Sequence, residues 1–156
     1  MQLSPHFTAT EMSVSDTAVR LGIDNTPSPA VLENLKALCE AILEPIRVHF
    51  GKPIKVTSAY RAPEVNKVVG GNLKGQHPAG QAVDFEITGV SNIALAQTVI
   101  DLKLKFDQLI LEFHVVGDPN SGWVHCSHKK EGSNRGEVLT ASKKDGKTVY
   151  SKGLPA

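Results

Sequence analysis

An apolar stripe near the N-terminal end is the clearest periodic pattern in the chain. Apolar residues recur at steps of three and four between Val31 and Ile46, which predicts an amphipathic helix. Ser28 suits the N-cap of this helix, and Pro29 suits its first turn. Pro45 lies inside the pattern, so we expect it to kink or end the helix.

Shorter elements surround this helix. A capping box formed by Thr8 and Glu11 predicts a short helix, and two more helices are expected over 63–69 and after Ser91. Alternating apolar and polar positions predict four strands: 54–58, 82–87, 107–114 and 123–127.

Closely spaced strands and hairpin signals indicate the fold class. Asp145-Gly146 is a typical two-residue hairpin turn, and the sequence contains no repeat or obvious linker. A chain of 156 residues is long enough for one hydrophobic core and too short for two typical domains. We therefore expect a small single α+β domain over residues 1–156, with a largely antiparallel sheet flanked by helices.

Charge and composition exclude several classes of protein. The net charge of +1 argues against disorder and against a general electrostatic binder of nucleic acid or anionic membrane. No apolar run is long enough for a transmembrane helix. Cys39 and Cys126 are too few for a disulfide scaffold and are interpreted as buried apolar residues. The chain has six histidines, and three of them lie between positions 114 and 128.

Two histidines and an aspartate have the spacing of a metal site. His77 lies in a glycine-rich loop, and Asp84 lies on the strand directly after it. His125 is central in a later strand and would join them if the two strands pair. Two imidazoles and a carboxylate are a normal ligand set for catalytic Zn²⁺, which keeps a water in its fourth position. We predict these three residues as the zinc ligands, with His114 and His128 as alternatives for the third.

A catalytic zinc site also needs a general base near the water. Glu112 is the candidate, because it lies on the strand before His125 and a hairpin would place the two side by side. His114 shares the predicted face of Glu112, so we interpret it as a supporting residue or a proton donor.

Several motifs, in this order, resemble a known family. They are Ser58-Ala59-Tyr60-Arg61, Asn66, Gly70-Gly71, Gln76-His77-x-x-Gly80-x-Ala82-x-Asp84 and Trp123-Val124-His125. The sequence resembles the zinc D-Ala-D-Ala carboxypeptidase and L-alanyl-D-glutamate endopeptidase family over about residues 5–130. It is most like the small phage endolysin-like members, whose Asp-Gln-Leu-Ile-x-Glu-Phe strand matches residues 107–113. The resemblance implies a DD-peptidase/hedgehog-like α+β fold with zinc on an antiparallel sheet.

The resemblance also implies roles for individual residues. His77, Asp84 and His125 become the Zn²⁺ ligands. Arg61 would bind a substrate carboxylate or polarise the scissile carbonyl, since a guanidinium is always charged and can donate two parallel hydrogen bonds to oxygen atoms. The residues expected to line the substrate site are Ser58, Tyr60, Gln76 and His114. Tyr60 suits the core equally well.

Two positions depart from the family pattern. Many members carry an acidic catalytic base three residues before the last histidine ligand, where this chain has Gly122. Glu112 is therefore assigned as the base from the pattern of the small members and from strand geometry. Position 75, often serine in the family, is Gly75 here.

The predicted function is zinc-dependent hydrolysis of an amide bond in peptidoglycan stem peptides or cross-links, in the manner of a phage endolysin. One alternative is a D-alanyl-D-alanine carboxypeptidase. An alternative of another class is a non-catalytic cell-wall-binding or phage structural module that retains the zinc fold. We expect a monomer that acts on a peptidoglycan peptide, without nucleic acid or membrane insertion. The N-terminus lacks a signal-peptide pattern, so we expect synthesis in the host cytoplasm and action on the cell wall after release.

Overall fold

The first part of the chain consists mainly of helices. The computed structural model describes residues 1–70 and 75–155, so Gly71 and part of the polar loop predicted over 72–80 lie outside the described residues. A short hairpin of β1 (Gln2–Ser4) and β2 (Phe7–Thr8) begins the chain. The helical elements are a 3-10 turn (Glu11–Ser13), α1 (Asp16–Leu21), α2 (Pro29–Leu38), a π-helical turn (Cys39–Leu43), α3 (Glu44–Phe50), α4 (Pro63–Val68) and α5 (Asn92–Asp101). None of the described helices is long and apolar enough to cross a membrane.

The amphipathic helix begins as predicted and continues further than expected. The Ser28 hydroxyl accepts a hydrogen bond from the first turn of α2, and Pro29 occupies that turn. The chain stays helical past Pro45 because a π-helical turn precedes it, in which the Glu44 N–H donates to the Cys39 carbonyl. The wider turn accommodates the proline ring, so the helix is locally widened and does not end there.

Among the described residues, six strands form the main sheet. They are β3 (Lys55–Ser58), β4 (Ala82–Glu86), β5 (Gln108–Glu112), β6 (Trp123–Ser127), β7 (Glu137–Lys144) and β8 (Lys147–Lys152). Their spatial order is β3-β4-β6-β5-β7-β8, with β5 and β7 parallel and the other neighbouring pairs antiparallel. The turn between β7 and β8 has positive φ at both Asp145 and Gly146, as predicted for that dipeptide. The structure confirms a small α+β domain with a largely antiparallel sheet.

The two faces of the central strands differ in character. Residues such as Phe85, Leu109 and Val124 are fully buried in one cluster with residues of the helices. Cys126 and Cys39 belong to this core as predicted, and burial raises the pKa of the Cys39 thiol to about 12. The opposite face, called the site face below, carries Asp84, Ile110, Glu112, Trp123 and His125.

Strand β5 is shorter than predicted. It ends at Glu112, because Phe113 has a φ of 56° and cannot continue the extended backbone. His114 therefore leaves the sheet, and the predicted strand over 107–114 is wrong at this end. The His114 Nδ1 lies 3.5 Å from Ser121 Oγ, in the connection between β5 and β6.

The buried carboxylate of Asp107, just before β5, forms hydrogen bonds with residues of two other segments of the chain. The Asp107 side chain is fully buried and accepts hydrogen bonds from Arg135 Nε at 2.9 Å and Nη2 at 2.8 Å. Gln76 Nε2 donates to the same carboxylate at 3.0 Å. The Arg135 guanidinium is the main reason that the pKa of Asp107 lies well below its usual range. Because Gln76 precedes His77, the bond to Asp107 also fastens the loop that carries His77.

We expect the substitution Asp107→Asn to lower the free energy of unfolding by about 2–3 kcal/mol at pH 7, because it removes a buried charge that is hydrogen-bonded to Arg135. A depressed carboxyl pKa stabilises the fold above the unfolded value of about 4, and that contribution is lost as the pH falls towards the folded pKa. The difference between wild type and variant should therefore shrink below about pH 4. Urea unfolding at pH 7 and pH 3 measures it, with Asp101→Asn on the surface of α5 as the control. A difference that is equal at both pH values would contradict the assigned pKa.

Candidate metal centre

Three side chains from different elements converge on the site face. His77 comes from the loop before β4, Asp84 from β4 and His125 from β6. Asp84 and His125 are directly opposite each other in the antiparallel β4–β6 pair. One potential ligand atom from each residue lies within 4.8 Å of the others. The structure thus brings the three predicted ligands together as a group that could hold a metal ion; we call it the triad.

Hydrogen bonding fixes the orientation of the His77 ring. Its Nδ1 donates to the Ala59 carbonyl at 2.7 Å, because a carbonyl oxygen can only accept. In the neutral ring Nε2 is then unprotonated, and it faces Asp84 Oδ2 at 3.5 Å. A histidine held by a carbonyl at one nitrogen, with the other nitrogen directed to a common point, is the usual arrangement of a metal ligand.

The environment of the triad favours the protonation states that bind a metal. Burial lowers the pKa of His77 in spite of the neighbouring Asp84, so the ring is neutral at pH 7. Burial acts to raise the pKa of Asp84, but the hydrogen bond from His125 outweighs it and holds that pKa well below its usual range. A neutral imidazole and an ionised carboxylate are the forms that bind Zn²⁺.

The spacing of His77 and Asp84 is that of two neighbouring ligands of a tetrahedral zinc ion. Bonds of about 2.0–2.2 Å at tetrahedral angles place neighbouring ligand atoms roughly 3.3–3.6 Å apart. The separation of 3.5 Å between His77 Nε2 and Asp84 Oδ2 lies in this range. His125 Nδ1 and Asp84 Oδ1 are 2.9 Å apart, the distance of the hydrogen bond that joins these two side chains. Three protein ligands are typical of a catalytic zinc site, in which one position stays open.

Two buried N–H groups on the site face belong to Arg61 and Trp123. Arg61 Nη2 lies 3.9 Å from Asp84 Oδ2, which places the guanidinium against the triad. Within the described part of the chain Arg61 Nε has no partner, and Trp123 Nε1 makes no hydrogen bond of good geometry, although the Trp123 side chain interacts with the Glu112 carboxylate opposite it. A buried N–H without a partner is costly and is usually satisfied by a ligand or a water. The free Arg61 N–H suits an oxygen atom of a bound substrate.

Glu112 lies on the site face near the triad. Ile110 is directly opposite His125 in the β5–β6 pair and Glu112 is opposite Trp123, so Glu112 is the diagonal neighbour of His125. The predicted side-by-side placement is therefore offset by two residues. Burial raises the pKa of Glu112, and the neighbouring charges offset this effect only in part. A raised pKa makes this carboxylate a better proton acceptor near neutral pH.

Gly122 has no room for a side chain. Its φ is +69°, and a Cβ at this position would lie 1.8 Å from the backbone oxygen of Glu112. This backbone therefore cannot accept an acidic residue three positions before His125. The departure from the family pattern has a steric cause, and the acidic residue beside the triad is supplied by the neighbouring strand.

We expect the substitution Gly122→Ala to lower the free energy of unfolding by about 2–4 kcal/mol, because the new Cβ must displace the backbone at Glu112. Gly117→Ala is the matched control, since Gly117 also has a positive φ of 90° but no atom within 4 Å of its Cβ position. The control should lose only about 1 kcal/mol, from backbone strain alone. Urea unfolding compares the two, and equal losses would show that the contact with Glu112 is not limiting.

The residues predicted to line the substrate site differ in their placement. Ser58 is opposite Asp84 in the β3–β4 pair and lies beside the triad. Tyr60 is only 6% exposed and belongs to the core cluster. The Gln76 amide is turned towards Asp107, where it holds the loop before β4.

The remaining histidines lie outside the triad. His128 follows the end of β6, and its Nδ1 donates to the Lys105 carbonyl at 2.6 Å. Within residues 1–70 and 75–155, the group that could hold a metal contains neither His128 nor His114. His6 Nδ1 lies 2.8 Å from Glu44 Oε2, and this contact fastens the N-terminal hairpin to α3.

Two residues that shape the site were not predicted from the sequence. Asp107 precedes an apolar strand, and a single acidic residue there cannot be distinguished from an ordinary turn residue. Trp123 lies two positions before His125, which indicated the shared face but not the interaction of its side chain with Glu112. Both roles depend on contacts between segments far apart in the chain.

Comparison with known proteins agrees with this geometry. No curated protein matches the chain. A family model described as Peptidase M15 matches residues 5–127, which is well over half of the chain and includes the whole triad. Members of this family depend on zinc, and the group formed by His77, Asp84 and His125 could bind it. The chain therefore belongs to the M15 family of zinc metallopeptidases, whose general activity is the hydrolysis of peptidoglycan peptides.

Proposed function

We propose that the chain is an endolysin-type endopeptidase that cleaves an amide bond in peptidoglycan stem peptides or cross-links, with Glu112 as the general base. The observation that carries the proposal is the place of Glu112, which is the diagonal neighbour of His125 on the site face. The raised pKa of its carboxyl group supports the same role. A carboxylate of this kind beside a metal centre is suited to take a proton from water.

Each part of the site has a defined task in this proposal. His77, Asp84 and His125 would hold Zn²⁺, which when bound polarises the scissile carbonyl and activates a water. Glu112 accepts a proton from the water as its oxygen bonds to the carbonyl carbon. Glu112 then passes this proton to the amide nitrogen as the C–N bond breaks, which leaves a free carboxyl group and a free amine.

Arg61 would stabilise the charge that develops on the carbonyl oxygen during the attack. Its guanidinium lies against Asp84, and its buried Nε has no partner in the described part of the chain. The Trp123 side chain lies on the same face and interacts with the Glu112 carboxylate, so it would help to position the proposed base. Donors already in place where charge develops are effective because they need not reorganise during the reaction.

A D-alanyl-D-alanine carboxypeptidase is the second candidate. The same Arg61 favours it, because a guanidinium with an unpartnered N–H suits the terminal carboxylate that such a substrate presents. The two activities differ in the bond that is cut and therefore in the new chain ends.

Product analysis tests the proposal and separates the candidates. Purified protein is incubated with zinc and isolated peptidoglycan, and the products are identified by mass spectrometry. New L-Ala carboxyl termini are expected for the endopeptidase, whereas released D-Ala would show the carboxypeptidase. If no new termini form at any zinc concentration, both are wrong and a non-catalytic wall-binding module becomes the better explanation.

A further inference from the structure

The site face continues beyond the catalytic centre onto the last two strands. Across the sheet, His125 is opposite Ile110, Ile110 is opposite Leu139, and Leu139 is opposite Lys152. Residues opposite each other on neighbouring strands share a face, so this row runs from the triad to the edge strand β8. Three strand spacings separate His125 from Lys152, which is about 14 Å. Strands β7 and β8 lie outside residues 5–127, which the family model matches.

The surface along this row has the character of a binding site. A shallow depression of about 340 Å³ is lined by Gln108, Ile110, Leu139 and Tyr150. Tyr150 is 57% exposed. It lies on the same face as the triad, because Ala141 is opposite both Glu112 and Tyr150 in the sheet. Ile110, Leu139, Tyr150 and Lys152 are called the platform below.

Positive charge lies at the far end of the platform. Lys152 is exposed, and its ammonium group has no hydrogen bond or ion pair with a side chain of the described ranges. The other charged residues of the site face on β7 are already engaged: Glu137 accepts from Gln108, and the Lys143 ammonium lies 5.3 Å from the Phe113 ring centre. Because the Glu137 carboxylate is held by Gln108 and lies beside Arg135, the Lys152 ammonium can pair with an anionic group of a ligand.

We propose that the platform binds an acidic arm of the substrate peptide, with one carboxylate of that arm paired to Lys152. The inference rests on the proposed function, because the arm must belong to the peptide held at the triad. Extended peptide rises about 3.3 Å per residue, so the 14 Å from His125 to Lys152 corresponds to roughly four residues. Stem peptides are short and carry free carboxylates, which match both the length and the charge of the platform.

Edge-strand lysines have an ordinary alternative role, which is to prevent pairing between sheets. A second lysine in the β7–β8 hairpin serves as the control for that alternative. Lys147 is on the same edge strand, but its partner Lys144 follows Lys143 and therefore points to the opposite face. The substitutions Lys152→Gln and Lys147→Gln change the charge of the edge equally, and only the first alters the platform.

Binding is measured by NMR titration of the zinc-loaded Glu112→Gln protein, in which turnover is suppressed. The probes are the synthetic peptide L-Ala-D-Glu-L-Lys-D-Ala and its form with amidated carboxyl groups. We expect Lys152→Gln to raise the Kd of the acidic peptide about fivefold at low ionic strength and to remove part of the effect of amidation. Lys147→Gln should leave the Kd unchanged. Tyr150→Ala should weaken both peptides equally, because it removes apolar contact and no charge.

The proposal is overturned if Lys152→Gln and Lys147→Gln give the same Kd, or if the acidic peptide does not bind at all. Its failure can be distinguished from failure of the proposed function. If wild type cleaves peptidoglycan but Lys152→Gln has no specific effect on the Kd, only the platform proposal is wrong. Binding that depends on Lys152, without any cleavage by zinc-loaded wild type, would instead overturn the endopeptidase.

Discussion

The substitution Glu112→Gln is expected to lower kcat for peptidoglycan cleavage by about 10³-fold while leaving KM nearly unchanged. Glutamine has almost the same size but cannot take a proton from water, so the bound substrate remains in place and the chemical step fails. Zinc content should stay at the wild-type value, because Glu112 is not part of the triad. Steady-state kinetics on soluble muropeptides, together with metal analysis, measures both quantities.

The matched control for this result is Glu131→Gln. Glu131 is exposed in the segment after β6, so the same chemical change should leave kcat at the wild-type value. If Glu112→Gln retains full activity with full zinc content, Glu112 is not the base. Gly122 offers no side chain to replace it, so another proton acceptor on the site face would then be needed.

The substitution His77→Ala is expected to abolish zinc binding and, with it, all activity. Wild-type protein should contain about one zinc per chain, and the variant almost none after dialysis. Saturating zinc at about 1,000 times the Kd should stabilise wild type by about 4 kcal/mol through preferential binding to the folded state. The variant should gain nothing, because only two ligands remain. Metal analysis and thermal unfolding with and without zinc measure the two effects.

His128→Ala is the control for the loss of a histidine. His128 lies beyond β6 and outside the triad, so this variant should keep its zinc and its stabilisation by zinc. Asp84→Asn provides a second test of the triad, since it changes the ligand with little change in volume. Full zinc retention in both His77→Ala and Asp84→Asn would contradict the assignment of the metal centre.

Local signals predicted the elements well where neighbouring residues alone decide them. The Ser28 cap, the Asp145-Gly146 turn and the strand around His125 depend on backbone preferences and on alternation over a few residues. The metal site was predictable for a related reason. His77 and Asp84 are only seven residues apart, so the short connection keeps their side chains close together. The pairing of β4 with β6 then brings His125 to the same place.

Local signals failed where distant segments decide the structure. The strand over 107–114 was predicted too long, because alternation continues through His114 while the positive φ of Phe113 is visible only in the folded chain. The π-helical turn that lets the helix continue past Pro45 was likewise not indicated by the apolar periodicity. Neither the parallel pairing of β5 with β7 nor the burial of Asp107 against Arg135 has a local signature.

The sequence by itself determined the class of fold, the family and the group of residues that could hold a metal, because these depend on residue types, short spacings and motif order. Only the tertiary structure decided how the site is completed. It placed Glu112 diagonally to His125 and filled the space beside Gly122 with backbone, and it left Arg61 Nε without a partner among residues 1–70 and 75–155. The physical reason is that strand register and the burial of polar groups depend on contacts between segments far apart in the chain. Such contacts do not produce a periodic pattern in the sequence of either segment.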